Sequence, residues 1–75
     1  MMSRGIAIDY IQNLRKIRTE RGWSQVELSK AIGLGGSTYG LYETYQRKLD
    51  VDTLLKLCEV LQVTPNVVLG FEEKP

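Results

Sequence analysis

Ser24 and Glu27 stand three residues apart at the head of an apolar-periodic run. That spacing is a capping box: the serine hydroxyl accepts an orphan backbone N–H, and the glutamate carboxylate accepts the N–H of the cap residue. A helix therefore starts at about Gln25, with Val26, Leu28, Ala31 and Ile32 as its predicted buried stripe and Gln25, Glu27 and Lys30 in solvent. Gly33 ends it, as a residue able to turn left-handed does. A second short helix follows at once from the run Gly35-Gly36-Ser37-Thr38, where a glycine cap supplies no side-chain acceptor. It is predicted to point Thr38, Tyr39 and Tyr42 inward, with Leu34 packed under the turn. The rest of the chain reads as support for this pair.

Two short helices held at a steep angle by a tight turn form a helix-turn-helix, predicted over about residues 24–45. Before it, Tyr10, Ile11, Leu14 and Ile17 trace one face of a helix running from about Ile6 to Arg21, with Arg15 and Lys16 projecting away and Gly22 closing it. Residues 1–5 form a flexible lead-in in which Arg4 is the one feature able to reach a phosphate. Trp23 precedes the capping serine and packs as a staple does. After Tyr45 a short polar connection leads to Asp50, a cap for a helix over Asp52–Gln62 whose stripe is Val51, Leu54, Leu55, Leu57, Cys58 and Leu61. Thr64-Pro65 opens a last helix, Pro65 to Leu69, which stops at Gly70. Val67, Val68, Leu69 and Phe71 are more apolar than a frayed end requires. With no repeat, low-complexity run or linker, residues 1–75 read as one all-α domain, a compact unit of five helices.

A chain of 75 residues buries a modest fraction of its surface, which disfavours a large catalytic cleft. Hydrophobic residues at 43% and charged residues at 25% are values of a folded globular domain. No apolar run approaches the roughly 18 residues of a membrane span, and no signal-peptide pattern stands at the start, so the expected location is cytoplasmic. Without histidine and with only Cys58, there is neither a zinc ligand set nor an internal disulfide, and Cys58 is expected to be a buried inert thiol. No cofactor or small-molecule ligand is indicated. The net charge of +1 hides an asymmetry: residues 1–48 hold eight Lys and Arg against four acids, a net of +4, and residues 49–75 hold two against five, a net of −3. The basic half is the half with the helix-turn-helix, as a phosphate-binding face requires, although scatter in a short chain is the plainer reading.

From about Ile11 to Phe71 the sequence resembles the helix-turn-helix domain of phage repressors and Cro proteins, the XRE-type regulators that include restriction–modification controller proteins. The likeness rests on the order and spacing of Leu14-Arg15-Lys16-Ile17-Arg18, Arg21-Gly22-Trp23-Ser24-Gln25, Glu27-Leu28, Ala31-Ile32-Gly33-Leu34, Ser37-Thr38, Glu43, Asp52-Thr53-Leu54-Leu55-Lys56-Leu57 and Leu61-Gln62-Val63-Thr64. It implies a lambda-repressor-like fold. Arg18 and Glu43 match a pair that forms a partly buried salt bridge in such domains, which makes Glu43 structural. Gln25 matches a residue that meets the DNA backbone, where the positive end of a helix favours phosphate. Gly36, Ser37, Gly40 and Leu41 match the groove-facing positions of the recognition helix. Arg47 and Lys48 fall in a loop that meets phosphates, with Arg15 and Lys16 as further phosphate candidates.

Two departures stand out. The family commonly reads bases with Arg, Gln, Asn or Lys, whereas glycine, serine, glycine and leucine leave direct readout thin and shift selection toward DNA shape and phosphate contacts. Tyr45 stands where the family has a left-handed glycine, so either it is strained or the helix ends differently; its hydroxyl either reaches a phosphate or packs. The resulting expectation is a sequence-specific double-stranded DNA-binding transcriptional regulator, associated with the nucleoid and dimeric on a palindromic operator. Val67, Val68, Leu69 and Phe71 form its expected dimer surface. The competing reading keeps the fold as a protein-interaction module, adaptor or antitoxin-like, motivated by the bare groove face and by Tyr39, Tyr42 and Tyr45. Catalysis is the least supported class, since there is no histidine, Cys58 is expected to be buried, no glycine-rich phosphate loop follows a strand and no pair of carboxylates marks a pocket.

Overall fold

A computed structural model describes residues 9–71 as five helices: α1 (Tyr10–Glu20), α2 (Gln25–Ala31), α3 (Thr38–Glu43), α4 (Val51–Leu61) and α5 (Pro65–Leu69). The all-α class is as expected, and no strand occurs among the described residues. The lead-in over residues 1–5, Arg4, and the helical start expected at Ile6 lie outside the described residues. Within them α1 begins at Tyr10, because Asp9 accepts the Gln12 N–H at 3.1 Å and caps it. The capping box of α2 is complete, with both the Ser24–Glu27 bonds at 3.0 Å. Asp50 caps α4 and Thr64 caps α5 in the same way, with Pro65 in the first turn. Only α3 lacks a cap from its own flanking side chain.

The core gathers Ile11, Leu14 and Ile17 of α1, Leu28 and Ile32 at α2, Tyr39 and Tyr42 of α3, Leu57, Cys58 and Leu61 of α4, and Val63, Val67 and Val68 around α5. Trp23 and Leu34 pack at its edge, as the sequence suggested. Burial raises the Cys58 thiol pKa, which keeps it protonated and unreactive.

Several predicted faces shift. On α2 the inward arc is Leu28, Ser29 and Ile32, while Val26 is 49% exposed and Ala31 is exposed, because α2 sits against α3 and α4 on its serine side. Thr38 is only half-buried. On α4 the stripe narrows, leaving Val51 and Leu55 exposed.

The expected dimer surface also needs correction. Val67 and Val68 are core residues, since α5 packs on α1 and the Asn13 side-chain amide donates to the Val68 carbonyl at 2.8 Å. Leu69 is half-buried, and Phe71 alone of the four is exposed.

Candidate nucleic-acid interface

Ser29 assembles the helix-turn-helix from inside. It is fully buried, its hydroxyl donates to the Gly35 carbonyl, and it accepts the Tyr39 backbone N–H at 3.0 Å. The first turn of α3 thus receives from α2 the acceptor that Ser37 does not provide. Nothing in the linear spacing marks Ser29, because its two partners lie six and ten residues downstream in a turn whose path is tertiary. Gly33, at φ 84°, makes the left-handed exit from α2 that this path needs.

At the other end of α3, the Arg18 guanidinium clamps the Glu43 carboxylate through Nε at 2.7 Å and Nη2 at 3.2 Å. Its remaining nitrogen Nη1 donates to the Trp23 carbonyl at 2.7 Å. Both side chains are nearly removed from solvent, and a bidentate, charge-assisted pair there fixes α3 against α1. Burial pushes the Glu43 carboxyl pKa up, but the hydrogen bonds and charge of Arg18, the nearby Tyr39 hydroxyl and the Gln25 amide outweigh it and hold the group below its ordinary value. The Tyr39 hydroxyl is buried beside the carboxylate without a well-formed hydrogen bond, and burial raises its pKa further.

Gln25 belongs to this cluster. Its Nε2 donates to Glu43 Oε1 at 2.8 Å, so the side chain assigned to phosphate is anchored to the salt bridge. Gly40, assigned to the groove face, lies directly beneath it: a Cβ at Gly40 would stand 3.0 Å from Gln25 Oε1. Ser37 is exposed, whereas Gly36 and Leu41 are half-buried. A Cβ at Gly36 would meet Val26 and the stem of Lys30 at ordinary contact distance.

Arg15, Lys16, Arg47 and Lys48 are all exposed. Tyr45 has the left-handed φ of 63° that a glycine at this position would adopt freely, so the helix ends in that shape with a strained residue. Its hydroxyl donates to Asp9 Oδ2 at 2.7 Å, joining the exit of α3 to the cap of α1. That bond is the main reason Asp9 titrates low and Tyr45 high, and Arg15 is close enough to act on Tyr45 electrostatically. The cleft between Tyr10, Tyr42, Tyr45 and Arg47 has a volume of 220 Å³, below the roughly 300–1,000 Å³ of ordinary ligand sites.

The profile of the helix-turn-helix family matches residues 14–68. The chain is 32% identical over 66 residues to YobD, an uncharacterized HTH-type transcriptional regulator of Bacillus subtilis, covering 88% of this chain and 59% of YobD. It spans about half the length of the curated relatives it matches. Among solved structures, the restriction-modification controller protein C.AhdI of Aeromonas hydrophila superposes with a TM-score of 0.74 at 34% identity, covering 81% of this chain and 92% of that one. The P22 c2 repressor, crystallised with a synthetic operator, superposes with a TM-score of 0.71 at 22% identity over 84% of this chain and 96% of its own, a likeness of fold.

Proposed function

The chain belongs to the helix-turn-helix family, and from that premise we propose that it is a sequence-specific double-stranded DNA-binding transcriptional regulator of the repressor or controller type, not an enzyme. The observation that carries this reading is the braced α3: Ser29 holds its start and Arg18 with Glu43 holds its end. Such bracing presents Ser37 outward, with Gly36 and Leu41 offering backbone and a methyl-bearing side chain to a groove, while Gly40 is covered by Gln25. Arg15, Lys16, Arg47 and Lys48 supply phosphate contacts, and their exposure leaves them free to do so. Tyr45 orders the loop that bears Arg47 and Lys48, through Asp9.

A domain of this size reads few base pairs alone, so it acts as a two-fold homodimer on a palindrome with half-sites about one helical turn apart. Phe71, 72% exposed, and its neighbour Leu69 are the proposed contact. No helix of the described residues is long and apolar enough to cross a membrane, and a nucleoid-associated cytoplasmic protein is the fitting setting. The test is fluorescence-anisotropy titration against a randomised duplex pool at two salt concentrations, with sequencing of the bound fraction. A recovered palindrome and salt-sensitive affinity are expected; no binding at low salt would favour the protein-interaction reading instead.

A further inference from the structure

We infer that Gly40 and Glu43 are positioning residues for Gln25: together they set its amide in a fixed orientation for a DNA phosphate. The inference rests on the DNA-binding reading above and adds a mechanism to it. Gln25 Nε2 gives one N–H to Glu43 Oε1 at 2.8 Å, and a carboxylate accepts only from a donor, so this contact fixes which way the amide faces. The second N–H has no partner among the described residues. Arg18 neutralises the carboxylate behind the amide, so the anchor does not itself repel a phosphate.

Gly40 makes the arrangement possible. Gln25 Oε1 occupies the space where a side chain at position 40 would begin, and a Cβ there would sit 3.0 Å from it. That is closer than Cβ atoms ordinarily tolerate, and the atom that must yield is the end of a flexible side chain. Gly40→Ala therefore displaces the Gln25 amide from Glu43 rather than breaking the helix, in which alanine is the better residue. The glycine that weakens α3 intrinsically thus leaves room for the side chain lying over it.

The experiment compares the parent, Gly40→Ala, Gln25→Ala and the double variant by melting temperature, by the Gln25 side-chain amide NMR resonances without DNA, and by affinity for the operator selected from the randomised pool. For Gly40→Ala we expect a melting temperature at or above the parent's, shifted Gln25 amide resonances, and affinity about five- to tenfold weaker, the worth of one hydrogen bond. The double variant should bind no worse than Gln25→Ala alone. Unchanged Gln25 resonances in Gly40→Ala would overturn the steric step. Displaced resonances with unchanged affinity, or with additive losses in the double variant, would overturn the positioning role. A parent that binds no duplex at low salt overturns the regulator reading and the role together, and its amide spectra still report on the steric step separately.

Discussion

At the scale of single residues, Glu43 carries the heaviest electrostatic duty in the fold. It accepts from Arg18 twice and from Gln25 once while almost wholly buried. Glu43→Ala leaves a buried guanidinium without its counter-charge and should cost about 3–5 kcal/mol, measured as a loss of unfolding free energy in urea. The same carboxylate gives the protein an acid limb. Its folded pKa lies below the ordinary 4.5, so its contribution is complete above that value and is lost as pH falls through the folded pKa. The capping carboxylates Asp9, Glu27 and Asp50 are lowered too and act in the same direction. Unfolding midpoints should be level from pH 7 to about pH 5 and drop below about pH 4.5. A midpoint that rises on acidification would contradict the charged pair.

At the scale of elements, α3 is six residues long, contains a glycine and has no cap of its own, so it depends on α2 for its start. Ser29→Ala removes the acceptor for the Tyr39 N–H and the donor to the Gly35 carbonyl in one step. With the Tyr39 N–H left buried without an acceptor, the loss should be about 1–3 kcal/mol, and amide exchange at Tyr39 should accelerate more than that at Leu57 in α4. The end of α4 offers the opposite change. Gln62 is exposed and left-handed at φ 58°, where a side chain costs about 1–2 kcal/mol and glycine costs only its entropy. Gln62→Gly should raise stability by about 0.5–1 kcal/mol, visible as a higher melting temperature.

At the scale of the whole molecule, the proposed DNA and dimer contacts are tested through exposed charges and through Phe71, an exposed aromatic. Arg15→Ala and Lys48→Ala should weaken binding to all duplexes alike and each lower the salt slope by about 1, while Ser37→Ala should change base preference at constant slope. Equal slopes in variant and parent would remove the phosphate assignment. Phe71→Ser should shift sedimentation equilibrium toward monomer and flatten the cooperativity of operator binding without lowering the melting temperature of dilute protein, because the ring is exposed.

Most helix ends were legible in the sequence, because caps and glycines act over three or four residues: Ser24 with Glu27, Asp50, Thr64-Pro65, Gly22, Gly33 and Gly70 all do what their spacing implies, whereas the Asp9 cap that starts α1 at Tyr10 and the left-handed Gln62 that ends α4 were not read from it. The Arg18–Glu43 pair was legible only through the family's pattern, since no local rule joins residues 25 apart. Which apolar residues are buried was less legible. Periodicity marks a face but not the width of the neighbour that covers it, so Val26, Val51 and Leu55 emerge while Val67 and Val68 are buried. Three features exist only in the tertiary structure: Ser29 as the cap of another helix, Gln25 laid over Gly40, and Tyr45 bonded to Asp9. Each joins groups from different elements, and their geometry is set by how the helices cross, which local sequence does not encode.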